Sequence, residues 1–332
     1  MDLNVLGSKN LGNVGSVPGF LGFLVADDGC RGHLAGRAHP ESPERYDAVM
    51  EGLARAGLLG PMRRAEVRTA TEDELLLCHT AEYLQTVRRD VESGRPCLST
   101  GDTDITPNSW EVAARAAGGG LNAVDAVLAG NARNAFCAVR PPGHHANAAR
   151  GMGFCLFNNV AIAARYAQRR HGVGRVLIVD WDVHHGNGTQ DIFYRDPSVL
   201  FFSTHQWPLY PGTGRADETG EGPGEGGTMN FPFPAGSGRR EILGAVENHL
   251  LPAAARFQPD LVLISAGFDS RVDDPLGRFT LTDEDFADLT RAVMGIADRH
   301  AGGRVVSMLE GGYNLSGLAS AAAAHAGALL DG

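Results

Sequence analysis

Short, continuous apolar runs recur along the chain at 22–26, 135–139, 176–179, 199–202, 261–264 and 305–309. Runs of this length without polar alternation read as strands buried on both faces. Between them, apolar positions at helical spacing predict helices near 43–56 and 71–92, then at 110–128, 158–171, 242–257, 282–300 and 315–330. From about residue 109 the two patterns alternate, which predicts a mostly parallel central sheet with helices on both faces. No low-complexity linker, repeat or charge block interrupts the pattern. The expected organisation is a Gly- and Asn-containing lead-in over 1–19 and a single α/β domain over 20–332.

Polar residues cluster where the runs end. Val176-Leu177-Ile178-Val179 is followed by Asp180-Trp181-Asp182-Val183-His184-His185-Gly186-Asn187. The run at 135–139 leads into Arg140-Pro141-Pro142-Gly143-His144-His145, and that at 199–202 into Ser203-Thr204-His205. The last two lead into Ala266-Gly267-Phe268-Asp269 and Glu310-Gly311-Gly312-Tyr313. In open α/β sheets, sites form in the crevice beyond the carboxyl ends of the strands. Five such ends on one edge predict a functional site there.

Alternate residues of extended backbone share a face, so Asp182 and His184 can address one ion, with Asp180 a layer beneath. Two Asp and one His, with Asp269 as the third ligand, leave an open position on Zn²⁺. Such an ion lowers the pKa of water and polarises a carbonyl, which suits amide hydrolysis. His144 and His145 fit a base and an acid partner, each needing an acceptor on its other nitrogen, for which Asp180 and Asn187 are placed. Asp180 can balance a charged imidazole whereas Asn187 can only accept a hydrogen bond, which predicts that the histidine oriented by Asn187 stays neutral and serves as the base. Tyr313 follows two glycines that would let its loop move, and its phenol can donate to an oxyanion. Ser42 reads as a helix N-cap with Pro43 at the first helical position. Arg45 in that first turn opposes the helix dipole and points to an anionic partner. Taken singly, each has a structural reading: strand-end caps, surface histidines, a packed tyrosine.

Composition narrows the partners. Net charge is −10 with no Lys/Arg cluster, so a nucleic-acid footprint is absent, and cationic substrates gain only weak steering. Cys30, Cys78, Cys97, Cys137 and Cys155 form no Cys-x-x-Cys pair, which predicts reduced thiols and a cytoplasmic setting. Neither a secretion signal nor a membrane-spanning stretch is expected.

The motifs at 140–145, 151–159 (Gly-Met-Gly-Phe-Cys-Leu-Phe-Asn-Asn), 180–190, 266–269 and 310–314, with His39-Pro40-Glu41, together resemble the zinc-dependent histone deacetylase superfamily. That superfamily includes acetylpolyamine amidohydrolases and shares its fold with arginase; Trp181, Asn187 and Glu310 resemble its class II branch. The resemblance implies one Zn²⁺ on Asp182, His184 and Asp269, with His145 as general base, His144 as its partner and Tyr313 as carbonyl clamp. It also implies a narrow tunnel walled by Phe154 and Tyr210, a Gly153 carbonyl that accepts the substrate amide proton, and Arg45 lining an inner acetate channel. One structural K⁺ would lie at Asp180, Asp182, His184, Ser203 and Thr204, and a second near carbonyls of Phe193, Asp196 and Val199.

The implied activity is removal of an acetyl or related acyl group from an acyl-lysine side chain or a small-molecule amide, with a homo-oligomer an open possibility. Acetylpolyamine is the alternative substrate, but Leu276 falls where some polyamine-selective relatives carry glutamate. A two-Mn²⁺ arginase-like centre fits less well, because Ser270 and Arg271 follow Asp269 where further carboxylates are wanted. A catalytically silent acyl-group binding protein is the non-enzyme alternative. Ligand chemistry alone does not separate zinc from iron or cobalt.

Overall fold

The apolar runs become strands of one sheet. In chain order these are β1 (Gly22–Ala26), β2 (Met62–Ala65), β3 (Asn134–Ala138), β4 (Val176–Asp180), β5 (Val199–Gln206), β6 (Thr228–Phe233), β7 (Leu261–Ala266) and β8 (Val305–Leu309). They lie in the order β2-β1-β3-β8-β7-β4-β5-β6, and every pairing is parallel. The structure, a computed structural model, describes residues 22–65 and 67–331. The expected lead-in over 1–19 and its boundary lie outside the described residues.

β3, β4, β7 and β8 are buried along their whole length, which is why they read as unbroken apolar runs. β2 (Met-Arg-Arg-Ala) and β6 (Thr-Met-Asn-Phe-Pro-Phe) had no such signal. They form the two sheet edges, where exposed positions carry Arg63 and Arg64 and a half-exposed one carries Pro232.

The helices are α1 (Glu44–Arg55), α2 (Glu72–Leu75), α3 (Ala81–Glu92), α4 (Ser109–Leu128), α5 (Asn159–His171), α6 (Asn187–Phe193), α7 (Arg239–Ala245), α8 (Leu251–Phe257), α9 (Asp283–His300) and α10 (Leu315–Asp331). Local chemistry sets several ends. Asn158 caps α5 by accepting the Ala161 N–H at 3.0 Å, and Gly172 at φ 68° closes it. The expected helix over 71–92 divides in two because Thr71 and Thr80 each cap a separate segment. α7 and α8 are joined by a π turn, Val246–Leu250, ahead of Pro252, which has no N–H to continue the α pattern. α1 begins one residue later than expected, with Pro43 in the cap position and no side-chain cap.

Alternation along the strands feeds two cores. Phe136, Leu177, Val179 and Ile264 pack with side chains of α1 and α7–α10, such as Leu53, Phe286 and Leu329. Ala135, Val176, Ile178 and Leu263 pack with those of α3, α4 and α5, such as Leu84, Leu121 and Ile162. Fully burying a side chain of this size is worth roughly 1.5–3 kcal/mol, so both layers hold the sheet rigidly beneath its carboxyl edge. Among the described residues no helix is long and apolar enough to cross a membrane.

Candidate active site

β3, β8, β7, β4 and β5 are neighbours in the sheet and point the same way, so their carboxyl ends form one continuous row. Asp182, His184 and Asp269 converge there, with ligand atoms within 4.8 Å of one another and all three buried. His184 Nδ1 lies 3.0 Å from Asp182 Oδ1 and 3.1 Å from Asp269 Oδ2. The remaining carboxylate oxygens are fixed by backbone donors: Gly311 N–H to Asp182 Oδ2 at 2.8 Å, and Val183 N–H to Asp269 Oδ1 at 2.8 Å. Burial and then the charge of Asp182 push the Asp269 carboxyl up to about 7. Burial opposes a charged His184, yet its hydrogen bonds to both carboxylates hold it near 10. One ring N–H cannot satisfy two carboxylates at once. A divalent cation with N/O ligands fits this donor set, and among the described residues no other such group of acids, histidines or cysteines occurs. Asp180 stands aside from it, accepting the Asp182 N–H on Oδ1 at 3.1 Å.

The adjacent histidines have different partners. His144 Nδ1 lies 2.9 Å from Asp180 Oδ2, and His145 Nδ1 lies 2.8 Å from Asn187 Oδ1, at the start of α6. Burial disfavours charge on both. At His144 the charges of Asp180, Asp182 and Glu310 overcome it and drive the ring's pKa well up. At His145, burial is reinforced by the neighbouring His144 and His184, and the ring is driven well down. Glu310 holds the turn that carries them, accepting the Gly143 N–H at 2.6 Å and the His144 N–H at 3.1 Å.

A cavity of about 360 Å³ opens above this row. His145, His184 and Tyr313 line it, with Gly153, Phe154, Tyr210, Leu276, Leu209 and Asp102 around them. Phe154 lies edge-on to Tyr313 at 6.0 Å between ring centroids, and Tyr210 edge-on to His145 at 5.2 Å. Gly153 is obligatory: at φ 56°, a Cβ there would sit 2.3 Å from the His145 ring. Burial drives the Tyr313 phenol well above its ordinary pKa, so it remains a donor at neutral pH. Arg45 stacks on the Tyr313 ring at 4.9 Å and donates to the Gly312 carbonyl at 2.7 Å. Its anionic partner is internal: Glu41, 3.0 Å away, which also takes two hydrogen bonds from Arg140.

Residues 39–329 match the histone deacetylase domain. The chain belongs to the histone deacetylase family. It is 45% identical to human "Polyamine deacetylase HDAC10" over 84% of this chain and 43% of that protein. It is 42% identical to the "Histone deacetylase-like amidohydrolase" of Pseudomonas aeruginosa over 84% of this chain and 74% of that one. The crystal structure of the HDA15 HD domain superposes with a TM-score of 0.88 at 39% identity, covering 93% of this chain and 88% of that one. The chain thus spans less than half of the human relative and about three quarters of the bacterial one. The α/β architecture expected from the pattern and the histone deacetylase fold implied by the resemblance are both found, with a sheet that is wholly rather than mostly parallel among the described residues.

Other expected residues of this histone deacetylase domain lie below or beside the cavity. Ser203 Oγ bonds His205 Nδ1 at 3.0 Å, whereas Thr204 Oγ1 is buried without a hydrogen-bond partner among the described residues. The Asp196 side chain is taken by Arg165 and Ser198, and the carbonyls of Phe193 and Asp196 accept the N–H groups of Asp196 and Val199. His185 turns away to Thr213 and Gln190. Three residues escaped the sequence reading. Asp102 lines the cavity and accepts the Gly153 N–H at 2.9 Å, Leu209 lines it beside Tyr210, and Glu41 neutralises Arg45 and Arg140. Only Glu41 had a local signal, its place in His39-Pro40-Glu41.

Proposed function

We propose that this chain is a zinc-dependent amidohydrolase that removes an acetyl or related acyl group from an amine. The observation that carries this is the convergence of Asp182, His184 and Asp269 at a cavity also lined by His145 and Tyr313. Zn²⁺ on those three side chains would supply a water of lowered pKa and polarise the scissile carbonyl. His145, kept neutral and oriented through Nδ1 by Asn187, has Nε2 left to accept the water proton. His144, held charged by Asp180, stabilises the negative charge that develops and can return a proton to the leaving amine. Tyr313, held protonated by burial, donates to the developing oxyanion. Phe154 and Tyr210 would wall the acyl-bearing chain, with the Gly153 carbonyl accepting its amide proton and Arg45 lining an inner channel. The orphaned Thr204 Oγ1 supports a structural K⁺ beside Ser203 and the β4 end, and carbonyls of Phe193, Asp196 and Val199 are the proposed second site. The free cysteines suit the proposed cytoplasmic setting.

The substrate we propose is an acyl-lysine side chain or a small-molecule amide rather than an acetylpolyamine. Leu276 places an apolar side chain on the cavity wall where some polyamine-selective relatives carry glutamate, and the carboxylate that does line the cavity, Asp102, is engaged by the Gly153 N–H. Kinetics on acetyl-lysine peptides, longer acyl-lysines and acetylated polyamines test this. The expected result is a higher kcat/KM for acyl-lysine, with Leu276→Glu moving the preference toward polyamine. Faster polyamine turnover by the unaltered protein would overturn the substrate assignment.

A further inference from the structure

The wall that carries Leu276 and the loop that carries Tyr313 are 37 residues apart in the chain, yet one carboxylate joins them. Asp274 Oδ2 accepts the Tyr313 N–H at 2.7 Å and the Asn314 N–H at 3.2 Å. Its Oδ1 accepts the Leu276 N–H at 2.9 Å. A second tie runs alongside, from Asn314 Nδ2 to the Asp273 carbonyl at 3.1 Å. Asp273 holds the left-handed conformation at φ 67°, which non-glycine residues seldom adopt. Asp274, next in the chain, is 7% exposed, and its hydrogen bonds are to main-chain N–H groups. From the opposite side Arg45 stacks on the Tyr313 ring and holds the Gly312 carbonyl. The phenol is therefore fixed between a guanidinium at its face and a carboxylate at its backbone.

We propose that Asp274 is a positioning residue that fixes the Tyr313 phenol and the Leu276 wall as one unit. Cavity width and the placement of the oxyanion donor then cannot vary independently. The proposal rests on the reading of Tyr313 as that donor. A side chain that only held the fold together would change stability, whereas one acting through Tyr313 changes kcat and does so only while the phenol is present.

The test is a double-mutant cycle on the zinc-loaded full chain with an acetyl-lysine substrate, using Asp274→Ala, Asp274→Asn and Tyr313→Phe. Misplacing a catalytic group by about 1 Å costs on the order of 100-fold, so Asp274→Ala should lower kcat about 10- to 100-fold with KM changed far less. Asparagine keeps one acceptor for either side of the bridge, so Asp274→Asn should fall between Asp274→Ala and the unaltered protein. In the Tyr313→Phe background, Asp274→Ala should cost less than about twofold more, the non-additivity of residues that act as one unit. Zinc content and thermal midpoint, measured on each variant, separate this from loss of fold. Equal fold-losses from Asp274→Ala in both backgrounds would overturn the inference and leave the role of Tyr313 standing. A Tyr313→Phe variant as fast as the unaltered protein would remove the donor reading and the inference with it. If Asp274→Ala does not fold, the cycle is closed with Asp274→Asn, for which full kcat would equally overturn the proposal.

Discussion

Gly311→Ala probes the metal centre without touching a ligand. A Cβ at that position would lie 2.1 Å from Asp269 Oδ2 and 2.6 Å from Asp182 Oδ2. Real Cβ contacts are not shorter than about 3 Å in close-packed interiors, so a carboxylate would have to retreat by about 1 Å. Metal–ligand distances are held to within about 0.2 Å, so that retreat takes a ligand out of range. Disturbing the groups that orient ligands already costs about 10–100-fold in metal affinity, and direct displacement should cost at least that. Gly312→Ala is the control. That residue sits at φ +124°, and its Cβ would meet Leu318 and Phe268 rather than the carboxylates. It should lower the thermal midpoint while leaving zinc affinity within about threefold, because backbone strain costs about 1–3 kcal/mol but is not aimed at the ligands. The assay is competition of the metal-free protein with a chelator of known zinc affinity, alongside thermal melting. Unchanged zinc affinity in Gly311→Ala would refute the assignment of Asp182 and Asp269 as ligands.

Asn187→Asp places a carboxylate against His145 Nδ1, 2.8 Å away, and should raise the pKa of that ring. The acidic limb of the pH–rate profile would then move to higher pH, and an unmoved limb would remove His145 as the base. Glu41→Gln leaves Arg45 and Arg140 buried without their shared anion and should destabilise the fold by roughly 3–5 kcal/mol in denaturant unfolding. A loss below about 1 kcal/mol would show that the pair is not electrostatically coupled to Glu41. Burial holds His33, His79 and His205 down to about 4 and His325 to about 3. Below the unfolded value of about 6.5 the unfolded chain binds protons that the folded chain refuses. Stability present above pH 6.5 should therefore fall as pH drops toward 4, with each histidine contributing on the order of 1 kcal/mol per pH unit. Unfolding free energies that stay flat between pH 6.5 and 5 would contradict this.

The central strands and the cluster beyond them were legible for one reason. A strand buried on both faces leaves an unbroken apolar run, and the residues just after it must then lie on the carboxyl edge. Asp182, His184, Asp269, His145 and Tyr313 all follow such runs. β2 and β6 left no comparable trace because their outer edges tolerate polar residues. The bridging carboxylates were illegible for a different reason. Asp102, Asp274 and Glu41 act by accepting hydrogen bonds from Gly153, Tyr313 and Arg140, partners dozens of residues away, and only Glu41 had a local signal, in His39-Pro40-Glu41. The two glycines before Tyr313 suggested a mobile loop. Instead Gly311 allows close approach to the two carboxylates and donates its N–H to Asp182, and Gly312 supplies a left-handed turn. Arg45 stood out in the sequence by its unfavourable place in the first turn of α1, and the anion beside it in the structure is Glu41, four residues earlier and ahead of the helix.

The most direct test of the central claim is hydrolysis of an acetyl-lysine substrate by the purified protein before chelation, after chelation and after zinc is restored. The account predicts that turnover disappears when the metal is removed and returns with one equivalent of Zn²⁺, and that an Asp269→Ala variant neither binds that equivalent nor turns over. Turnover that survives complete removal of the metal, or a fully zinc-loaded protein inactive on every acylated amine offered, would contradict it.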